Sequence, residues 1–162
     1  MEFHPIGTIH SPFTEPAGMP IQPAGADDAA GTVVLEAAYA EGLRDLEGFS
    51  HVILIYHFHR SQGHELLVTP YLDDRVHGVF ATRAPRRPNP IGLSVVRLTG
   101  REGAVLHVEG LDVLDGTPLL DVKPWVPDFV ARGEVRTGWV AEARRAGRQA
   151  RTHRSDDRFA SD

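Results

Sequence analysis

Arginines and prolines alternate in one segment of this sequence, Ala81–Ser94, which we call the arginine–proline loop. It carries Arg83, Arg86 and Arg87 on a backbone that three prolines stiffen, because each proline fixes φ and removes an amide donor. Guanidinium groups on a rigid backbone can bind a phosphate or carboxylate with little loss of conformational entropy. The pattern predicts an anion-binding loop, and a solvated, proline-stiffened surface loop is the alternative.

Histidines recur along a second segment, which is rich in aliphatic residues and ends at His59. If this segment is a strand, His57 and His59 lie on one face with the i, i+2 spacing of a metal-binding pair. A zinc or iron site needs at least a third ligand, and spacing alone selects none of the candidates, which are His77, His107, Glu109 and Asp112. We therefore expect histidines that are structural or that contact a ligand, and no bound metal.

The elements that must position these residues are mainly β-strands. Short alternating or apolar runs, separated by Gly, Pro, Asn and Asp, suggest a barrel of strands at Phe3–Ile9, Thr32–Ala37, His51–His59, His77–Arg83, Ser94–Thr99, Val105–Leu111 and Leu119–Lys123. Between the first two strands, Ser11–Gly31 contains four prolines and is too long for a passive connection, which indicates a binding element or disorder. Helices are predicted at Glu41–Leu46 and Gly138–Arg151.

A chain of 162 residues is long enough for one domain with its own core. We predict a single barrel domain over residues 1–137, followed by a C-terminal helix and basic tail over residues 138–162 that frays after Thr152. The net charge of −5 argues against indiscriminate nucleic-acid binding, although the arginines of the tail can still contact phosphate locally. A solvated, charged helix is the default interpretation of that tail.

The absence of cysteine excludes disulfides, thiolate zinc sites, iron–sulfur clusters and cysteine nucleophiles. No apolar run approaches the length of about 18 residues that a membrane span needs. The first residues have neither the basic start nor the apolar stretch of a signal peptide. We therefore expect a soluble protein of the cytoplasm.

Several segments together resemble the TsaA-like family of β-barrel methyltransferases. They are Ile6–Pro12, Pro20–Pro23, Leu46–His51, Thr82–Arg83, Arg87–Ser94, Leu111–Pro118 and Asp121–Pro124, and their order and spacing match over about residues 3 to 127. The resemblance implies a single TsaA-like β-barrel, S-adenosylmethionine as methyl donor, and a homodimer with the cofactor near the subunit interface. It agrees with the absence of a glycine-rich Rossmann turn.

Three sets of functional positions are expected, and the first, the cofactor contacts, is carried over residue by residue from the resemblance. Cofactor contacts fall on Pro20, Gln22, Pro23, His59, Arg60, Arg83, Leu93, Glu109, Gly110, Leu111 and Asp112. Substrate phosphate or carboxylate is assigned to Arg86, Arg87 and Lys123. The proton that leaves the acceptor nitrogen has three candidate acceptors, His59, Asp112 and Asp121. Arg60 departs from the glutamine that the bacterial tRNA enzymes of the family carry at this place.

The family's characterised role implies N6-methylation of threonylcarbamoyladenosine in the tRNA anticodon loop, where an unstacked base can be drawn into a pocket. Methyl transfer from a sulfonium requires chiefly alignment of the nucleophile, the methyl carbon and the leaving sulfur. Two alternatives stay open. One is a methyltransferase of the same fold that acts on a small molecule, and the other is a non-catalytic module that binds S-adenosylmethionine or RNA.

Overall fold

The computed structural model describes residues 1–22, 26, 29–129, 133, 135–149, 154–156 and 159. Its strands are β1 Gly7–His10, β2 Ala30–Leu35, β3 His51–His57, β4 Leu67–Val68, β5 His77–Gly78, β6 Ile91–Glu102, β7 Val105–Glu109 and β8 Thr117–Pro124. Six of them close an antiparallel barrel in the order β1, β2, β7, β6, β3, β8, and β4 and β5 form a separate ribbon. The predicted mainly β barrel is confirmed.

Alternation along the strands decides which side chains fill the barrel. In β3, Val52, Leu54 and Tyr56 are buried, and they point inward between residues that stay partly exposed. The neighbouring strand β6 places Ser94 opposite Leu54 and Gly92 opposite Tyr56. The barrel interior is therefore apolar except near this end of β3, where hydroxyl groups enter it.

The outward positions of β3 and β6 form a continuous apolar surface, which we call the aliphatic outer face. It consists of Ile53, Ile55, Ile91, Leu93 and Val95, with Ile53 opposite Val95 and Ile55 opposite Leu93. On the other side of β3, β8 places Lys123 and Asp121 opposite the two isoleucines, and their side chains form an ion pair of 2.6 Å. Apolar residues on the outside of a barrel need a partner to be removed from water.

Two local predictions are wrong. The predicted strand His77–Arg83 continues only to Gly78, and a 3₁₀ turn follows at Val79–Ala81. The Thr82 hydroxyl donates to the Val79 carbonyl at 2.9 Å, which closes this turn and diverts the chain from the sheet.

The predicted helix Glu41–Leu46 is also replaced by 3₁₀ turns, at Ala37–Leu43 and Leu46–Gly48. Asp45 between them has a φ of 69°. A left-handed residue at this point prevents one continuous α-helix.

A C-terminal α-helix is present, but it is shorter than predicted. It spans Trp139–Arg145 (α1), and Gly147 follows it with a φ of 80° in the left-handed region, where a helix ends. No helix in the described ranges is long and apolar enough to cross a lipid bilayer.

A buried carboxylate, Asp73, ties this C-terminal segment to the rest of the domain. Arg75 donates two hydrogen bonds to Asp73 Oδ2, at 3.0 and 2.9 Å, and Arg148 donates to Oδ1 at 3.1 Å. His77 Nε2 lies 3.1 Å from Oδ2, and its ring stacks on Trp139. The pKa of Asp73 is held below its ordinary value, chiefly by the Arg75 hydrogen bonds.

The described residues of the tail beyond α1 contact the segment before β2, and the fraying expected after Thr152 stays a prediction. Arg154 forms a β-bridge with Pro20. The Ser155 amide donates to the Met19 carbonyl at 2.8 Å, and the Ser155 carbonyl accepts from the Gly18 amide at 2.8 Å. Residues 150–153 of the predicted helix and tail lie outside the described residues.

Candidate active site

A cavity of about 820 Å³ lies where β3 ends and where β6 and β8 begin. Because these strands are antiparallel neighbours, the three termini meet at one end of the barrel. The described walls come from Glu15–Gln22, from Phe58–Gln62, from the arginine–proline loop and from the segment before β8, together with Tyr71, Ser155 and Phe159. This volume is of the size that holds a cofactor or drug-sized ligand.

Most of the residues that the family resemblance implied for the cofactor converge on this cavity. Those that line it are Pro20, Gln22, His59, Arg60, Arg83, Leu93 and Asp112, together with Arg87 from the substrate set. They come from four separate stretches of sequence, so only the closed barrel and its loops bring them together. Pro23 lies outside the described residues.

Three implied cofactor residues, Glu109, Gly110 and Leu111, do not line the cavity. Glu109 ends β7 and forms an ion pair with Arg97 on the outside of the barrel. The amides of Gly110 and Leu111 both donate to the Ala29 carbonyl, at 3.0 and 3.2 Å, and the Leu111 side chain is fully buried in the core. In this structure these residues anchor the turn that delivers Asp112 to the cavity.

Arg86 and Lys123 of the implied substrate set also lie outside the cavity lining. Arg86 forms an ion pair with Glu65 at 3.3 Å, and Lys123 pairs with Asp121 beside the aliphatic outer face. Asp121 is consequently separated from Asp112, although both were candidates for the same proton. Its place on β8, opposite the outward Ile55, explains the difference.

Arg87 is held within the arginine–proline loop by its own hydrogen bonds. Its Nη1 donates to the carbonyls of Thr82 and Ala84, at 3.1 and 3.2 Å. These bonds fix a guanidinium at the cavity wall without a bound ligand, and anion binding by this loop stays a prediction.

A buried chain of hydrogen bonds connects the cavity to the barrel interior. Ser94 Oγ donates to Asp112 Oδ1 at 2.5 Å, and the Tyr56 hydroxyl lies 3.0 Å from Ser94 Oγ. Because serine has one hydroxyl proton and gives it to the carboxylate, Tyr56 must be the donor to Ser94 when Asp112 is ionised. Tyr56 and Ser94 were not predicted from the sequence, in which their only signal is an inward-facing hydroxyl on each of two neighbouring strands.

Gly92 makes room for this chain. A Cβ added at Gly92 would lie 2.1 Å from Cε2 of Tyr56, so only glycine lets the tyrosine ring lie across β6. The ring also makes an edge contact with Phe58, with centroids 5.4 Å apart. The position of the Tyr56 hydroxyl is therefore fixed by packing on both sides.

The surroundings change the acidity of the groups at the cavity. Burial raises the pKa of Asp112 to about 6, although hydrogen bonds from Ser94 and from its own backbone amide, and the charge of Arg83, oppose the increase. Burial and the nearby Asp112 raise the pKa of Tyr56, so the phenol stays protonated. Burial, together with Arg60 and His57, lowers the pKa of His59. At neutral pH the site holds a carboxylate and a neutral imidazole.

Metal ligation by the histidine-rich strand finds no support in the geometry. Within the described part of the chain, no three His, Asp or Glu side chains come together in a way that could hold a metal ion. His57 and His59 also fail to extend as one strand, because β3 ends at His57 and the His59 amide donates to the His57 carbonyl at 2.8 Å.

Comparison with known proteins places this chain in a family. The model for the tRNA-methyltransferase O N-terminal domain matches residues 8–130. A probable S-adenosyl-L-methionine-binding protein of Pyrococcus abyssi is 59% identical over 138 residues, which are 85% of this chain and 75% of that protein. The tRNA (adenine(37)-N6)-methyltransferase of Escherichia coli is 39% identical over 136 residues, which cover 78% of this chain and 58% of the enzyme.

Solved structures give the same result. A crystal structure of TrmO aligns with a TM-score of 0.74 and 46% identity over 85% of this chain and 63% of its own. The TrmO structure from Pseudomonas aeruginosa aligns with a TM-score of 0.71 and 44% identity over 85% of this chain and 62% of its own. The chain thus spans less than two thirds of both solved chains and of the E. coli enzyme. With its matched barrel and shared fold, the chain belongs to the tRNA-methyltransferase O N-terminal domain family.

Proposed function

We propose that this protein is an S-adenosylmethionine-dependent methyltransferase that methylates N6 of threonylcarbamoyladenosine in the tRNA anticodon loop. The observation that carries the proposal is the cavity at the barrel end, on which Gln22, His59, Arg83, Leu93 and Asp112 converge. The proposal is supported by the relatives of this chain in E. coli and rat, both named tRNA (adenine(37)-N6)-methyltransferase. A tRNA substrate also agrees with an enzyme of the cytoplasm.

The residues at the cavity suit S-adenosylmethionine in both volume and chemistry. Leu93 and Ile91 offer apolar surface for an adenine ring, and the side-chain amide of Gln22 offers hydrogen-bond partners for an amine or ribose hydroxyl. The bound cofactor would supply an electrophilic methyl group on a sulfonium. The protein has to exclude water, hold the acceptor nitrogen in line and accept one proton.

Cationic groups at the cavity suit an anionic acceptor. Among the described residues that line it, Arg60, Arg83 and Arg87 are cationic, and Glu15 and Asp112 are acidic. We assign Arg87 to the phosphate or carboxylate of the substrate, because its guanidinium is already fixed by the loop carbonyls. Arg86 and Lys123 lie outside the cavity and belong to the substrate surface only if the RNA extends beyond it.

The proposed active form is a homodimer in which the aliphatic outer face is covered by a second copy. Ile91 and Leu93 belong both to that face and to the cavity wall, so a subunit seated there would close the cavity. The Asp121–Lys123 pair beside the face presents both signs of charge, which is self-complementary across a two-fold axis. Asp121 and Lys123 would then approach the partner's site.

The test is methylation of tRNA in vitro. Purified protein is incubated with methyl-labelled S-adenosylmethionine and total tRNA from a strain that lacks this gene, and the nucleosides are analysed by mass spectrometry. We expect N6-methyl-threonylcarbamoyladenosine, and none from tRNA that lacks the threonylcarbamoyl group. Cofactor binding without a methylated nucleoside would contradict the tRNA assignment. Turnover of a metabolite pool would then identify a small-molecule enzyme, and its absence a binding module.

A further inference from the structure

The Asp112 carboxylate at the cavity is held by two buried hydrogen bonds in series, from Tyr56 to Ser94 and from Ser94 to Asp112, which we call the buried relay. The proposed reaction gives this relay no role. Asp112 receives the Ser94 hydroxyl, and Ser94 in turn lies within hydrogen-bond distance of the Tyr56 hydroxyl. Ser94 has no exposed surface and Tyr56 is 3% exposed, so water does not satisfy either group. A polar chain in an otherwise apolar barrel costs free energy unless each member is satisfied.

The strength of the hydrogen bond between Ser94 and Asp112 depends on the protonation state of Asp112. With an ionised carboxylate, the protons point from Tyr56 to Ser94 and from Ser94 to Asp112. With a carboxyl group protonated on Oδ2, Oδ1 still accepts the Ser94 hydroxyl, but the acceptor is then neutral and the hydrogen bond is weaker. The relay therefore favours the ionised carboxylate, which is the form that can accept a proton.

Of the three candidate proton acceptors, Asp112 alone combines a place in the cavity with a fixed orientation. Asp121 lies outside the cavity lining. His59 lines the cavity, but among the described contacts its only hydrogen bond is through its backbone amide. The Asp112 carboxylate, by contrast, is held at one oxygen by Ser94.

We propose that Asp112 accepts the proton released from the methylated nitrogen, and that Ser94 and Tyr56 are positioning residues that hold its carboxylate in place through two buried hydrogen bonds. This inference rests on the proposed function. As the nitrogen lone pair forms the bond to the methyl carbon, the sulfur–methyl bond breaks and its electron pair stays on sulfur. The N–H bond then breaks, its electron pair returns to nitrogen, and the proton passes to the Asp112 carboxylate.

The charged and titratable groups around Asp112 agree with this role. Burial raises the pKa of Asp112 to about 6, while the Ser94 hydrogen bond and, less strongly, the charge of Arg83 favour the ionised carboxylate. A base with a pKa slightly below the working pH is mostly ionised and still has appreciable proton affinity. In the described part of the lining, the other titratable groups are the phenols of Tyr56 and Tyr71 and the side chains of Glu15, His59, Arg60 and Arg87.

The experiment compares Ser94→Ala, Tyr56→Phe and Asp112→Asn with the matched variants Ser50→Ala and Tyr39→Phe, which alter an exposed serine and an exposed tyrosine. Two readouts are measured: the pH dependence of kcat on tRNA, and the titration of Asp112 by carbon-13 NMR of labelled aspartate without cofactor. We expect Ser94→Ala to move both midpoints upward by about one pH unit, with KM for the cofactor changed by less than about threefold. Tyr56→Phe should move them less, and Asp112→Asn should lower kcat by about 100-fold or more.

The outcomes separate the inference from the function on which it rests. Unchanged midpoints in folded Ser94→Ala and Tyr56→Phe protein would overturn the positioning role. A kcat of Asp112→Asn close to that of the unmodified protein would overturn Asp112 as the proton acceptor. Absence of methyl transfer in the unmodified protein would overturn the proposed function and the proton step with it, whereas the NMR titration would still report on the hydrogen bonds.

Discussion

Replacing Asp112 with asparagine should make the protein more stable at neutral pH while it removes the proposed proton acceptor. Burial raises the pKa of Asp112 from the ordinary value of 3.8 to about 6 in the folded protein. The pKa of Asp112 therefore differs by about two units between the folded and unfolded states. At about 1.4 kcal/mol per unit, this difference corresponds to about 3 kcal/mol in the free energy of unfolding. That value is the greatest stabilisation that removal of the charge can give.

The sign follows from linkage between protonation and folding. Below pH 3.8 the carboxyl group is neutral in both states and contributes nothing to the pH dependence. As the pH rises towards 6, the folded protein retains a proton that the unfolded chain has released, so stability falls. The side chain introduced by Asp112→Asn cannot titrate, and its amide brings a donor that needs a partner, so we expect a net gain of about 1–3 kcal/mol above pH 6.

The assay is urea unfolding followed by tryptophan fluorescence between pH 4 and 7.5, with Asp128→Asn as the exposed control. The pKa values of Asp73 and Asp115 are lowered in the folded state, so both residues stabilise the protein less at acid pH. This loss is the same in both proteins and cancels in the difference between their free energies of unfolding. The difference should be near zero at pH 4 and should grow to its full value by about pH 7. An Asp112→Asn variant that is less stable than the unmodified protein at pH 7.5, or a difference that does not vary with pH, would refute the reasoning.

Three further perturbations test other parts of the structure. Gly92→Ala should lower the free energy of unfolding by about 1–3 kcal/mol, because the added Cβ would overlap the Tyr56 ring. The matched control Gly42→Ala, whose Cβ meets no atom within 4 Å, should not have this effect in urea unfolding. Val95→Glu on the aliphatic outer face should convert a dimer to a monomer in sedimentation, and a monomeric parent protein would contradict the dimer. Arg148→Ala should release the C-terminal segment from Asp73, and unchanged hydrogen exchange of the Ser155 amide would count against that tether.

The sequence pattern located the barrel strands because alternation is a local property. The predicted strand His51–His59 is observed as His51–His57, and Ser94–Thr99 lies within the longer strand Ile91–Glu102. The turn at Val79–Ala81 was not predicted because threonine is also common in strands. Nothing in the composition of the segment shows that the Thr82 hydroxyl closes a 3₁₀ turn. Strand propensity therefore failed where a side chain competed for the backbone.

The site was predicted in part, for a different reason. Positions such as Gln22, Arg83 and Asp112 were found through the family resemblance, and they do meet at the cavity. The relay through Tyr56 and Ser94 could not be read from the sequence, because it depends on the register that sets Tyr56 opposite Gly92. That register is fixed by contacts between residues 36 positions apart, which no local pattern encodes.

Closure of the barrel has a consequence for its synthesis. β1 pairs with β8, with Gly7 opposite Leu119, so the sheet keeps an open edge until β8 has been synthesised and has paired. Before β8 has left the ribosome, the nascent chain exposes the unpaired edges of β1 and β3. Such edges can pair with strands of other chains. Contacts this distant in sequence also slow folding, to about milliseconds or longer for comparable β-barrels. The interval before β8 emerges is therefore when this protein most needs protection from aggregation.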